Sequence, residues 1–172
     1  MHTGTWVNQI NYYTGFESFK NINSSSVVEI VDGISFNLVN VVAGTQSSDK
    51  KEDFTSARIS NSGTIETTNF YKGLKNSSFK LGMSSAGQVN GGYSFSVEIS
   101  NNGTSWTNIL NVSRPTSNLT TYNATISAGL TLSDGSVMNE TTTLKLRIST
   151  FGGNANGNRI FNIDDLAFSY II

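Results

Sequence analysis

The sequence contains no cysteine, one proline and one histidine among its 172 residues. Without cysteine there is no disulfide framework, and no thiol can act as a nucleophile or bind a metal. The histidine, His2, lies at the start of the chain, so a Ser-His-Asp triad has no base and a histidine metal site has no ligands. These absences exclude thiol chemistry and histidine-dependent hydrolysis.

Charge is scarce and nearly balanced. Charged residues make up 13% of the chain, about half the usual share. The 11 Lys and Arg residues oppose 12 Asp and Glu residues, for a net charge of −1. There is no basic field of the kind that nucleic acid or an anionic membrane needs. Because no apolar run approaches the roughly 18 residues of a membrane-spanning helix, we expect no nucleic-acid partner and no membrane insertion.

Neutral polar residues take the place of charge: the chain holds 25 Ser, 19 Thr and 21 Asn. This composition is typical of secreted and cell-surface β-proteins, and also of virion proteins. The start, MHTGTWVNQ, has neither the basic nor the apolar region of a signal peptide, so we expect a chain that begins after any such segment. The expected location is extracellular or at a cell surface, with a virion as the alternative.

Alternation of apolar and polar residues is the strongest structural signal. In SFSVEIS, residues 94–100, the apolar residues share one face, predicted as core, while Glu98 and the serines share the other, predicted as wet. NNG at 101–103 follows, with residues that tolerate positive φ, and a second strand is predicted from Trp106 to Leu110. This stretch predicts a β-hairpin.

The same alternation predicts a chain of short strands. The further strands are expected at Phe16–Phe19, Ile34–Val42, Ala57–Ser60, Thr64–Phe70, Ser78–Met83, Thr121–Ile126, Thr143–Ser149 and Arg159–Ile172. About eight to ten strands with glycine-containing turns between them indicate an antiparallel sandwich or barrel with little or no helix. We expect residues 10–172 to form one β-sandwich domain, with the charged tract Thr45–Asp53 as a long loop, and residues 1–9 to be an N-terminal extension or the remainder of a tag.

The last predicted strand carries two adjacent carboxylates, Asp164 and Asp165, in an otherwise apolar stretch. On a regular strand they point to opposite faces, so one can turn to a cation or to backbone N–H groups while the other meets solvent or Arg159. A buried carboxylate costs several kcal/mol unless such a partner offsets it. The apolar residues around the pair share one face only if a β-bulge falls between the two aspartates; these residues are Ile163, Leu166, Phe168 and Tyr170.

Three stretches together resemble a family of bacterial extracellular jelly-roll β-sandwich modules related to carbohydrate-binding modules. They are Gly15-Phe16-Glu17-Ser18, the hairpin SVEISNNGTSWTNI at Ser96–Ile109, and NIDDLAF near the end. Such modules are appended to secreted nucleases, glycosidases and surface proteins. The resemblance implies an antiparallel two-sheet sandwich of jelly-roll topology and a non-catalytic binding role.

The resemblance also implies a structural calcium ion between the first and last strands. In such modules a Glu of the "FE" motif and an Asp of the "DD" motif bind it, which carries over to Glu17 and to Asp164 or Asp165, with Asp165 preferred. Ca²⁺ takes about six to eight oxygens, and Asp49 and Asp53 could supply more if the charged loop folds back. In the alternative, the buried aspartate accepts loop amide hydrogen bonds and binds no metal.

Catalysis is not expected. A glycosidase needs two carboxylates facing each other across a cleft, and no spacing among the candidates favours such a pair. The candidates, which lie in turns or on wet strand faces, are Glu29, Asp32, Glu66, Glu98, Asp134 and Glu140.

Aromatic residues near turns and strand ends are the candidates for ligand binding, because aromatic faces stack on sugar rings and planar polar groups bind their hydroxyls. The candidate ligand-binding residues are Tyr71, Tyr93, Trp106, Tyr122, Phe151 and Arg58, with Arg147 and Asn156 as further polar groups. Trp106 could equally belong to the core.

Two functions remain open. The first is a binding module for glycan or a cell-surface partner. The second is a structural or interaction domain of an adhesin, or a virion decoration or fibre protein without a sugar site. Solvent-facing aromatics along a groove would favour the first.

Overall fold

The computed structural model describes residues 8–22, 26–83, 93–113, 115–116, 118–152 and 160–172. These residues form ten β-strands and no helix, so the all-β prediction is confirmed. The strands are β1 (Gln9–Thr14), β2 (Val27–Val31), β3 (Ile34–Gly44), β4 (Ser56–Thr67), β5 (Tyr71–Met83), β6 (Tyr93–Ser100), β7 (Thr107–Ser113), β8 (Thr120–Ala124), β9 (Thr143–Gly152) and β10 (Ile160–Ile171). Accordingly, the described residues contain no helical segment that could cross a membrane.

All strand pairs among the described residues are antiparallel, as predicted. Neighbours follow the order β2-β3-β4-β10-β5-β9-β6-β7, with β1 beside β10 and β8 beside β5. Because β4 also pairs with β9, the strands β4, β10, β5 and β9 close a ring. The prediction of two separate sheets in jelly-roll topology is therefore not confirmed: long strands that bend between layers join the sheets at such corners.

The predicted core residues lie inside. Phe95, Val97 and Ile99 on β6 are fully buried. They are joined by Leu144, Leu146 and Ile148 of β9 and by Phe79, Leu81 and Met83 of β5. Phe79 on β5 meets Phe95 edge-on at 5.6 Å between ring centres, so two groups of strands pack face to face. The hairpin predicted around residues 101–103 is confirmed by the pairing of β6 with β7.

The predicted strand at Phe16–Phe19 is wrong, because this stretch forms a turn. The Phe16 backbone has φ of 61°, its N–H donates to the Thr14 hydroxyl at 2.8 Å, and the Phe19 N–H donates to the Phe16 carbonyl at 3.0 Å. The first strand lies earlier, at β1, and pairs with β10. Local polar contacts of the Thr14 side chain thus override the strand preference of the two phenylalanines.

The strand β2 was not predicted, although its turn was visible in the sequence. Val31 pairs with Ile34 across Asp32-Gly33, and the two turn residues have φ of 47° and 91°. Two successive positive φ values define the hairpin turn that Asp-Gly favours. The alternation of β2 is hidden because Val28 and Ile30, both apolar, face solvent at 62% and 70% exposure.

β10 contains the β-bulge that is needed for the apolar residues around Asp164 and Asp165 to share one face. Between Asp164 and Ala167 the register of β10 against β5 shifts by one residue, and Asp165 has φ of 52°. Aspartate is among the few residues that tolerate this conformation. As a result Ile163, Leu166 and Phe168 are all buried, while Tyr170 is half-buried.

Two predicted strands, Ala57–Ser60 and Thr64–Phe70, form the single strand β4, which ends at Thr67. Its first part pairs with β10 and its second with β9. Gly63 lies where the partner changes, and a Cβ there would meet the Ile59 side chain and lie 2.7 Å from the Val39 carbonyl oxygen. The close approach of the chains at this corner requires glycine.

Gly63→Ala is expected to lower the free energy of unfolding by about 1–3 kcal/mol, because the added methyl group must displace backbone. Urea denaturation measures the change. Gly15→Ala is the matched control, since its Cβ would meet nothing closer than 3.4 Å. Equal midpoints for the two variants would contradict this account of the corner.

Candidate ligand-binding face and acidic junction

A row of charged side chains crosses the outer side of β4, β9 and β6. Glu66 on β4 pairs with Arg147 on β9, and Arg147 pairs with Glu98 on β6. Since neighbouring residues of each strand face the core, these three point outward together. We call the outward side of these three strands the outer face; its polar residues are Glu66, Lys145, Arg147, Ser149, Ser96 and Glu98.

Arg147 is held from two sides. Its Nε donates to Glu98 Oε2 at 2.8 Å, and the guanidinium carbon lies 3.9 Å from the centre of the Trp106 ring. The Ser149 hydroxyl donates to the same Glu98 oxygen at 2.9 Å. Stacking on an aromatic ring and an ion pair together fix the guanidinium plane.

A second ion pair lies beside the first. Lys145 Nζ donates to Glu66 Oε1 at 3.1 Å and lies 5.4 Å from the centre of the Phe70 ring. The two cations of the outer face therefore each have one carboxylate and one aromatic ring as neighbours.

The outer face is largely covered, contrary to the prediction of a wet face. The side chains of Arg147 and Glu98 are only 22% and 13% exposed, and Ser96 and Ser100 are buried. The Ser96 hydroxyl has no hydrogen-bond partner among the described residues. The outer face is therefore a polar surface that neighbouring side chains partly cover.

The structure brings only some of the proposed ligand-binding residues together. Trp106 stacks on the outer face, and Phe151, 46% exposed, extends it opposite Ser94. Arg58 lies elsewhere, 3.6 Å from Asp49.

The two tyrosines Tyr71 and Tyr122 pack inward rather than toward solvent. Tyr71 lies 4.7 Å from Tyr170 between ring centres, and Tyr122 lies 4.9 Å from Phe95. Tyr71 is buried and Tyr122 is half-buried, so both rings have partners in the core. The side chain of Tyr93, and Asn156, lie outside the described residues.

Glu66, Lys145, Phe70 and Glu98 are not among the ligand-binding residues predicted from sequence; Glu66 and Glu98 are predicted there only as carboxylates to consider for catalysis. The alternation of β9 marks Lys145 and Arg147 as outward. The strand register, which no local pattern gives, is what places Glu66 and Glu98 on either side of them.

The charged loop folds back on β10, where we define the acidic junction as Glu17, Asp49, Asp164 and Asp165 with loop residues 45–55. Asp164 is buried and accepts hydrogen bonds from the backbone N–H groups of Glu52 and Asp165, each at 2.9 Å. Burial raises the pKa of Asp164 to about 6, and the neighbouring charges of Asp165 and Glu17 add to the rise, while the two amides oppose it.

Asp165 lies on the other side of the bulge and has its own partners. It accepts from Lys80 Nζ at 2.7 Å and from the Tyr13 hydroxyl at 2.5 Å. Although partial burial raises its pKa, the hydrogen bonds from Lys80 and Tyr13 lower it overall. Lys80 also contacts Glu52 at 2.9 Å, so β5, β10 and the loop meet at this lysine, and β1 joins them through the bond from Tyr13 to Asp165.

Glu17 and Asp49 hold the loop as well. Glu17 Oε1 accepts the backbone N–H groups of Phe54 and Thr55 at 3.2 Å each. Asp49 accepts the Gln46 N–H at 2.9 Å and an amide N–H of Asn162 at 3.2 Å. Glu17, Asp49 and Asp164 thus each accept backbone N–H groups of the charged loop, whereas Asp165 is held by side chains.

The fit of a calcium ion differs among the four proposed ligands. Among the described residues, no group of three or more His, Asp or Glu side chains is arranged to hold a metal ion. Asp165 and Asp49 are each opposed by a cation, Lys80 and Arg58. Glu17 and Asp164 are left as two interacting carboxylates, a donor pair that fits Ca²⁺ if loop carbonyl oxygens complete the shell.

Comparisons with known proteins give likeness in fold only. No protein-family model and no curated protein sequence matches the chain. The chain is similar to the K2 cleaved adhesin domain of Lys-gingipain, with a TM-score of 0.60, 12% identity, and coverage of 92% of this chain and 99% of that domain. It also aligns with TmCBM61, a structure solved with β-1,4-galactotriose, at 16% identity over 92% of this chain and 95% of that one. The TM-score of this second alignment is 0.49.

The pH dependence of stability is expected to differ between the two adjacent aspartates. The folded-state pKa of Asp164, about 6, lies above its ordinary value of 3.8. Its contribution to stability is therefore full below about pH 4 and is lost as pH rises through 6. Relative to Asp164→Asn, metal-free wild type should lose up to about 3 kcal/mol between pH 4 and 7.

Urea denaturation in a chelating buffer across this pH range measures the difference. Asp165→Asn is the control of opposite sign: its pKa is lowered in the folded state, so its contribution is present above the ordinary pKa and lost as pH falls. Parallel pH profiles for wild type and Asp164→Asn would contradict the burial of this carboxylate.

Proposed function

We propose that the chain is a non-catalytic extracellular module that binds a glycan through its outer face. The observation that carries the proposal is the arrangement of Glu98, Arg147 and Trp106, an ion pair beside an aromatic ring on the outer face. Sugar recognition needs planar polar groups that bind hydroxyls and aromatic surface that packs on the ring. Both are present on this face. As part of this proposal, the chain would serve in attachment, as the name of the similar adhesin domain suggests for that protein.

Aromatic surface is available at both ends of the outer face. Phe70 is 42% exposed beside Lys145, and Phe151 is 46% exposed at the other end of β9. Between them lie the charged side chains and Ser149. A glycan lying along β9 would meet aromatic, polar and aromatic surface in turn.

A binding role is favoured over hydrolysis because both carboxylates of the outer face are occupied. Glu66 is ion-paired to Lys145, and Glu98 is bound by Arg147 and Ser149. A general acid must carry a proton to the leaving group, and a carboxylate locked to a cation is poorly suited to that task. The two glutamates serve better as hydrogen-bond acceptors for hydroxyl groups.

We further propose that a structural calcium ion binds Glu17 and Asp164. The support is the proximity of two carboxylates at a site where the first turn, the charged loop and β10 meet. A cation there would replace the repulsion between them with attraction. Asp165 and Asp49, with cations of their own, are better assigned to the protein's hydrogen-bond network.

The alternative, a structural or interaction domain of an adhesin or of a virion decoration or fibre protein, is favoured by one observation. The edge strand β2 exposes Val28 and Ile30 at 62% and 70%. Apolar side chains on a free strand edge are a typical site for pairing with another chain.

Trp106→Ala and Arg147→Lys are each expected to weaken glycan binding about tenfold or more, because the first removes the stacking surface and the second removes the planar donor group. A glycan array identifies ligands, and isothermal titration measures the affinities. Phe54→Ala is the matched control, since Phe54 is an exposed aromatic residue of the loop at 82%. Hydrolysis of a bound glycan, or unchanged affinity in both variants, would overturn the proposal.

Calcium is expected to raise the thermal unfolding midpoint by roughly 5–10 °C at a concentration about 100 times its Kd. Thermal unfolding with calcium and with a chelator measures the shift. Glu17→Gln and Asp164→Asn should abolish it, whereas Asp165→Asn should keep it. A wild-type midpoint that does not respond to calcium would remove the ion from the proposal and leave the glycan face untouched.

A further inference from the structure

We propose that the outer face selects neutral glycans and rejects acidic ones; this inference rests on the proposed function and names its ligand class. The outer face carries two cations and two carboxylates in cross-strand contact. Their charges cancel on the outer face. An anionic glycan would gain no net attraction there.

The carboxylates are covered rather than free to move away. Glu66 and Lys145 are 18% and 17% exposed, and Glu98 is 13% exposed. Because solvent screens covered charges poorly, a uronate or sulfate that approached Arg147 would meet Glu98 at close range with the same sign of charge. Like charges in such a site are strongly unfavourable.

The unused hydrogen-bonding atoms fit hydroxyl groups. Arg147 binds Glu98 through Nε, and its two terminal nitrogens have no partner within the described part of the chain. Glu98 uses Oε2 for both Arg147 and Ser149, which leaves Oε1 as an acceptor. A hydroxyl both donates and accepts, so one hydroxyl can bridge the guanidinium and the carboxylate. A carboxylate or sulfate, which only accepts, cannot.

Trp106 limits how far the arginine can adapt. The guanidinium carbon lies 3.9 Å from the centre of the ring while Nε donates to Glu98 Oε2. Turning the side chain to clasp an anion with two parallel bonds would break both contacts. The arrangement favours a ligand that can bind Arg147 without turning its side chain away from Trp106 and Glu98.

The test uses matched pairs of neutral oligosaccharides and the same oligosaccharides oxidised at C6 to uronates. Wild type is expected to bind the neutral member about tenfold or more tightly, the size expected for one unit charge at close range in a partly buried site. Glu98→Gln keeps the side-chain shape and an acceptor oxygen but leaves the face with one positive charge. It should shift the preference toward the uronate about tenfold, and added salt should cancel the shift.

Glu140→Gln is the matched control, because Glu140 is also ion-paired, to Lys75 at 2.9 Å, but lies away from the outer face. Its preference should equal that of wild type. Glu66→Gln is the second variant if Glu98→Gln does not fold, and the same shift is expected. Equal wild-type affinity for both members of each pair, with binding lost in Trp106→Ala, would overturn this inference and leave the proposed function intact. Absence of binding to any glycan would overturn the proposed function itself.

Discussion

The fold depends on the β-bulge in β10, where one extra residue changes which side chains of the strand face the core. β10 pairs with β1, β4 and β5, so the facing of its side chains decides what reaches the core. Before the bulge Phe161 and Ile163 face inward, and after it Leu166 and Phe168 do. Without the inserted residue the second pair would turn outward, at a loss of about 1.5–3 kcal/mol for each side chain. The same β-bulge directs Asp164 to the backbone N–H of Glu52 in the loop and Asp165 to Lys80.

The strands with local alternation could be predicted from sequence, because their facing depends only on the pleat. The hairpin of β6 and β7 is of this kind. The bulge could be stated only as a condition, since nothing nearby in sequence fixes whether Asp165 adopts positive φ. The outer face could not be predicted, because Glu66 and Glu98 meet around Arg147 through the registers of two strand pairs. These strands are far apart in the chain, so no hairpin turn fixes their register and neither strand's own sequence reveals it.

The ion pairs of the outer face are poorly explained by stability. Partly buried pairs gain about as much from attraction as they lose in desolvation, and well-packed apolar residues would serve a sheet face at least as well. This chain has few charged residues, yet it places two such pairs side by side on one sheet face. Stability gives little reason for this arrangement, on which the proposed recognition role depends.

The strand β4 contributes residues to both the acidic junction and the outer face, from two different parts of the strand. Arg58, beside Asp49 at the acidic junction, lies on the part of β4 that pairs with β10, and Glu66 lies on the part that pairs with β9. Gly63 lies between them, where the partner changes. No hydrogen bond or ion pair within the described ranges joins side chains of the junction to those of the outer face. The geometry around Arg147 is set by β6, β9 and Trp106.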